Sequence, residues 1–319
     1  MGLTRNHIEG VMDTVHSKLK QSLTVGVTKG WGGFVWMLKI IVPISFLTVL
    51  FEYSGWINKI NFILEPCMNF LSLSPIAALP LIVGLLTGIY GGIAAMVVLP
   101  LTTNEMTLIA IFLLISHNLI QEGIIQSQSG LKPFKAILFR LAASIVTVMI
   151  VSIFLGAEPV QIVAKGTPVA VQPAFIALMR NWLIATLYLS LKIFVIIMVI
   201  MILLEIMKIF NMIPHIVRIM NPLLIVMGLD KRVGVLWLTA TVFGIAYCGA
   251  VIVEEAKDGN LTKKELERLH LSIGINHSIV EDPALFLALG LSAFWMWIPR
   301  LITAVVAVRL FDLYYKILN

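Results

Sequence analysis

The stretch ISHNLIQEG (115–123) places a histidine, two amides and a carboxylate at the end of a run apolar enough to lie in lipid, and INHSIVEDP (275–283) repeats the arrangement in nearly the same letters. At an offset of 160 residues, Ile115-Ser116-His117 falls on Ile275-Asn276-His277, Glu122 on Asp282, and RLAASIVTV from Arg140 on RLITAVVAV from Arg300. Upstream the offset shrinks. At 157, GIYGGIA (88–94) meets IAYCGAV (245–251), with Tyr90 on Tyr247 and Gly92 on Gly249; at 153, Leu38-Lys39-Ile40 meets Leu191-Lys192-Ile193 and Glu52 meets Glu205. Apolar letters coincide by chance in membrane helices, but Lys, Glu, Tyr, His, acid and Arg recurring in one order do not. The chain reads as two copies of one unit in tandem.

Composition fixes the medium. Of 319 residues, 59% are apolar and 13% charged, with a mean hydropathy of +0.99, which excludes an ordinary soluble domain. The apolar runs reach the roughly 20 residues a helix needs to cross a bilayer and lack the alternation of an outer-membrane barrel. The net charge of +6 is spread over short loops, as membrane orientation demands, and gathers no patch for nucleic acid. Cys67 and Cys248 are far apart in apolar settings, so no disulfide framework is indicated. The first thirty residues contain no short apolar core followed by a cleavage site. Instead Ile8, Val11, Met12, Val15, Leu19 and Leu23 share one face, which predicts an amphipathic cytoplasmic helix over 1–30 lying on the membrane.

Strong spans are read at 34–54, 75–100, 106–126, 134–156, 182–207, 232–256, 268–282 and 284–313, with weaker proline-bearing segments at 57–73 and 212–228. If both weak segments cross, eleven loop lysines and arginines fall inside against four outside, so ten membrane segments with both termini cytoplasmic satisfy the positive-inside rule. The expected architecture is an all-α polytopic membrane protein of the cytoplasmic (inner) membrane. It comprises two inverted five-helix repeats with broken helices, repeat 1 over 31–156 and repeat 2 over 182–319, joined by a loop over 157–181. Five crossings per half, an odd number, invert the second half, a plan common in secondary transporters, whose solute sites lie at the repeat interface on interrupted helices.

Ionisable groups in lipid cost several kcal/mol and mark pathways or partners. His277 and Glu281 are four apart and so share a helical face, flanked by Asn276 and Asp282; His117 shares a face with Gln121, flanked by Asn118 and Glu122. His117, Glu122, His277, Glu281 and Asp282, with those amides and the Cys248 thiol, form a ligand set suited to Fe²⁺, Zn²⁺ or Mn²⁺. They also suit a hydrogen-bonded organic ring, with a slight lean to the metal because imidazole and carboxylate dominate the duplicated set, and histidine can relay a coupling proton. Backbone ligands are expected from the glycine-broken segments around Gly91-Gly92 and Cys248-Gly249, because glycine permits unusual backbone angles and close approach. Arg140 and Arg300 read as clamps on acids of the other half or as holders of an anionic solute. No nucleophile accompanies the histidines, so a carrier is expected in preference to an enzyme. Expected partners are membrane lipids, the solute itself and, from the apolar outer faces, a second copy of the chain.

The segments VFGIAYCGAVIVEEA (242–256) and LTGIYGGIAAMVVLP (86–100), together with the two His-acid helices, resemble the nucleoside recognition or Gate-domain membrane proteins, which include the spore maturation proteins. More distantly they resemble the Gate regions of the ferrous-iron transporter membrane domain. The resemblance covers most of residues 35–310. It implies a transporter of small solutes: nucleosides through the relation to concentrative nucleoside carriers, with Tyr90 and Tyr247 stacking on the base and the acids holding the ribose, or a divalent metal through the iron carrier. The scaffold role of some spore maturation proteins is a further implication. The chain departs from the iron carrier in having no GTPase, no GxxxxGK[ST] loop, and Gly91 at the place matching Cys248.

Overall fold

The computed structural model describes residues 2–156, 174–259 and 261–318, of which 2–14, 57–62, 231–232, 243, 246–247 and 318 are described in backbone only. The described residues are helical, with no strand among them. Five helices are long and apolar enough to cross a membrane, or six if the pair Ile63–Phe70 and Pro75–Thr87, bent by 88°, is one span. Against the ten segments expected, the described residues thus contain five or six spans of that length.

Helix α1 (Gly2–Tyr53) runs unbroken through the region expected as a separate surface helix and into the first span. Its main partner is α8 (Phe175–Ile209). The two are antiparallel: Gly26 meets Ile202, Gly30 meets Met198, the Trp182 indole donates to Ser45 Oγ at 3.1 Å, and Tyr53 stacks on Phe175. Gly26 and Gly30, four apart, let the backbones approach, since a Cβ on Gly26 would lie 2.7 Å from Ile202 Cα. Beside this stripe Lys29 pairs with Glu205. Because α8 starts at Phe175, the last residues of the expected 157–181 loop are its first turns; residues 157–173 lie outside the described residues.

The runs 75–100 and 232–256 are not single spans. The first is a helical hairpin, α3 (Ala78–Thr87) and α4 (Ile89–Met96), reversed at Gly88; the second is α10 (Lys231–Phe243) and α11 (Ile245–Lys257), reversed at Gly244. Both glycines sit at positive φ, +91° and +85°, where a side chain would be strained. A Cβ on Gly92 would lie 3.4 Å from Gly84 Cα across the first hairpin and 3.4 Å from Pro80 O. At the corresponding place Cys248 Sγ meets Leu236 O at 3.5 Å. These turns match at an offset of 156, not 157: Gly92 N–H donates to Gly88 O and Cys248 N–H to Gly244 O, each at 3.2 Å. The turns after α1 and after α2 (Trp56–Phe70) share that offset, with Gly55 and Ser72 answered by Asn211 and Gly228, all at positive φ.

At the centre, α5 (Thr103–Ser116) and α12 (Lys263–Asn276) are buried over 107–116 and 269–276; the α5 stretch is apolar on nearly every side, while α12 also buries His270, Ser272 and Asn276. Each begins with a reciprocal cap, Thr102 with Glu105 and Thr262 with Glu265. Each ends at its histidine and resumes after a short break, as α6 (Leu119–Gln128) and α13 (Glu281–Leu287). Helices α7 (Pro133–Leu155) and α14 (Ala293–Leu318) pack across them, joined to each other by Thr147 and Thr303 hydroxyls 2.8 Å apart. Helix α9 (Ile213–Val226) packs on α10, while α4 lies along α1 and α11 against α6.

Candidate functional site

The two helix breaks build the site. His117 and His277 are the residues at which α5 and α12 leave the helix, with φ/ψ of −62°/157° and −63°/157°. The next residues, Asn118 and Ser278, take the left-handed conformation. Each break is stitched to the hairpin tip of its own half: Asn118 N–H donates to Gly84 O at 3.1 Å, and Ile279 N–H to Thr241 O at 2.7 Å. Each is also bridged by an arginine. Arg140 donates from Nε to Ile115 O at 2.8 Å and from Nη2 to His117 O at 2.9 Å; Arg300 donates to Ile275 O at 3.0 and 2.8 Å and to His277 O at 2.9 Å. The arginines thus satisfy carbonyls that the breaks free. They serve their own halves and do not clamp acids across the interface as expected: Arg140 Nη1 meets Glu122 of the same half at 2.7 Å.

The imidazoles are turned the same way. His117 Nδ1 lies 2.8 Å from Leu113 O and His277 Nδ1 3.0 Å from Ile273 O. A carbonyl oxygen only accepts, so each Nδ1 carries a hydrogen and each neutral ring presents a lone pair at Nε2. Those two Nε2 atoms face each other at 3.4 Å. Around them stand Glu122, 3.1 Å from His277 Nε2 and 3.4 Å from His117 Nε2, and Asp282, 3.6 Å from His117 Nε2. His117, His277 and Asp282 offer ligand atoms all within 4.8 Å of one another, and all three residues and Glu122 are buried. A buried site made of four such acceptors holds a cation well, whether a shared proton or a metal ion.

Other expected members lie elsewhere. The break after His277 removes Glu281 from the histidine's face, and its carboxylate instead accepts from Tyr90 Oη of the other half at 2.7 Å. The break after His117 does the same to Gln121, which is exposed and accepts from Asn118 Nδ2 at 3.0 Å. Asn276 is fully buried beside His277, with neither amide atom in a protein hydrogen bond. Gly91, Gly92 and Gly249 are packing positions within helices: a Cβ would fall 1.9 Å from Thr87 Oγ1, 2.3 Å from Leu113 Cδ1 and 2.5 Å from Ile125 Cγ2 respectively. Cys248 is buried in its hairpin as a free thiol. The Tyr247 side chain lies outside the described residues.

Comparison with known proteins points the same way as composition. The uncharacterised membrane protein YvoD of Bacillus subtilis (strain 168) is 22% identical over 289 residues, covering 90% of this chain and 93% of that one. No family model matches. No solved structure matches either. The chain is a multipass membrane protein.

Sequence reading missed a second tier of polar residues. His270 is buried and its Nε2 lies 2.7 Å from Ser129 Oγ; Gln126 Nε2 donates to His270 O at 3.4 Å. The signal was present in the spacing: His270 is two turns before His277 on α12, and Gln126 one turn after Glu122 on α6.

Proposed function

We infer that the chain is a carrier in which two inverted five-segment repeats move a small polar solute by alternating access, the solute being a divalent metal cation held between His117 and His277. The observation that carries this reading is the pair of opposed Nε2 atoms at 3.4 Å, each with its Nδ1 committed to the backbone. Two nitrogens bound at about 2.0–2.1 Å to one tetrahedral ion lie about 3.3–3.4 Å apart. Glu122 and Asp282 lie within reach to complete the shell and offset its charge.

The inverted arrangement draws support from matching caps, breaks, arginine bridges and positive-φ turns at offsets of 156 and 160, and from the antiparallel run of α1 against α8. Alternating access draws support from the unequal packing of the two hairpins, with α4 along α1 and α11 against α6. In an inverted pair, exchanging those two packings converts one access state into the other.

The test is metal analysis and calorimetry on the purified protein with Fe²⁺, Mn²⁺ and Zn²⁺. The wild type binds one ion per chain, and His117→Ala with His277→Ala binds none. Undiminished binding by the double variant sinks the metal reading. Thermal stabilisation by a nucleoside that survives chelation replaces it with the organic-solute reading.

A further inference from the structure

A file of buried polar groups leads from the histidine pair toward one end of the bundle. Glu122 contacts Arg140 at 2.7 Å. Arg140 and Gln126 meet at Gly274, where a Cβ would lie 3.5 Å from Arg140 Cγ and Cδ and from Gln126 Nε2 alike. Gln126 reaches His270 O at 3.4 Å, and His270 reaches Ser129 Oγ at 2.7 Å. Ser129 ends α6 and adjoins exposed Gly130 and Lys132 in the turn to α7. Gln126, His270 and Asn276 are buried, yet Gln126 Oε1, His270 Nδ1 and both amide atoms of Asn276 have no protein partner. Buried polar atoms of this kind are normally satisfied by internal water.

The other half shows that the fold does not require this file. At the offset of 160, Ser129, Gln126, Gly274 and His270 correspond to Leu289, Phe286, Leu114 and Ala110, while the central members stay polar: His277 answers His117, Asp282 answers Glu122, and Arg300 answers Arg140. Phe286, Leu114 and Ala110 are fully buried. At three of these four positions one half carries a polar side chain where its twin carries an apolar one.

We propose that this file is a hydrated proton path joining the His117–His277 site to the membrane face at the α6–α7 turn, with His270 as its relay. An imidazole can take a proton at one ring nitrogen and release one from the other. Ser129 can accept from His270 Nε2 while its hydroxyl donates to Gln126 O at 3.0 Å. Among the charged groups on the surrounding elements, Glu267 pairs with Lys135 of α7, Arg268 with Asp312 of α14, and Arg140 with Glu122 of α6, while Arg309 of α14 donates to the carbonyls of Ile225 and Val226 and Lys264 of α12 lies over the Tyr315 ring. Glu254 and Glu255 stand near the end of neighbouring α11. The proton displaced from the histidine pair by an arriving cation then has a route out. This last step rests on the carrier reading above; the hydration of the file does not.

Two measurements separate the ideas. On a Cys67→Ala, Cys248→Ala background in proteoliposomes, Gln126→Cys and Ser129→Cys react with 2-aminoethyl methanethiosulfonate at least 10-fold faster than Phe286→Cys and Leu289→Cys, read as thiol lost to later titration after unfolding. Equal rates, or protection at all four positions, overturn the path. With a pH dye inside the vesicles, His270→Gln leaves metal binding at the wild-type level and lowers the accompanying proton movement at least 10-fold; unchanged proton movement overturns the relay. Fast labelling without metal binding by the wild type would refute the metal reading and leave the path standing. Metal exchange by the wild type, with the Gln126→Cys and Ser129→Cys thiols both protected, would do the reverse.

Discussion

Arg140 and Arg300 hold equivalent posts, each laying its guanidinium across carbonyls 25 and 23 residues before it, at the point where a central helix breaks into a histidine. Only Arg140 also makes an ion pair among the described contacts, with Glu122. Arg140→Met therefore leaves a buried carboxylate uncompensated and lowers stability by about 3–5 kcal/mol. Arg140→Met with Glu122→Gln recovers part of that loss. Thermal unfolding in detergent of the two single variants and the double variant checks the coupling, and strictly additive losses would contradict it.

The hairpin tips tolerate no side chain. Gly244→Ala places a Cβ at φ +85° and 2.8 Å from Ser278 Oγ, a strain of about 1–2 kcal/mol from the backbone angle alone. Gly92→Ala drives its methyl to 2.3 Å from Leu113 Cδ1, an overpacking cost of about 1–3 kcal/mol. Combining Gly92→Ala with Leu113→Ala should show a favourable coupling of about 1 kcal/mol in a double-mutant cycle.

Cation binding should be linked to pH with a definite sign. A metal ion and a proton compete for the two Nε2 lone pairs, so affinity rises with pH through the histidine range and levels off above it. Calorimetry in buffers of differing ionisation enthalpy measures the released proton directly. Buffer-independent heats would show that no proton leaves the site.

The Tyr90–Glu281 bond crosses between the halves beside the site without touching either imidazole in the described contacts. Tyr90→Phe removes the bond and keeps the ring against Trp36. Metal affinity should stay within about 3-fold while the exchange rate in proteoliposomes changes by more than that, because on the proposed carrier mechanism the bond joins parts that move in alternating access. Parallel changes in both quantities would place Tyr90 in the binding shell instead.

How far the sequence carried depends on which letters are rare. The offset of 160 through His117, Glu122 and Arg140 was legible because charged groups in lipid are costly and few, and the structure puts those residues at one centre. At the hairpins the same method slipped by one residue. Tyr90 on Tyr247 is the tempting match, but the hydrogen bonds pair Gly88 with Gly244. Hydropathy could not show that 75–100 and 232–256 reverse at mid-run, since a hairpin and a span contain the same apolar letters. Nor could helical spacing foresee that α5 and α12 end at their histidines, which put Asp282 in the place expected of Glu281 and sent Gln121 to the surface.

The long seam between α1 and α8 bears on how a ribosome delivers this protein. The first helix emerges early, but Gly26, Gly30 and Lys29 have their partners in Ile202, Met198 and Glu205. Until that later segment is inserted, the opening helix sits in the bilayer with its tightest-packing face unmatched. Packing of that face thus waits on synthesis of the second half.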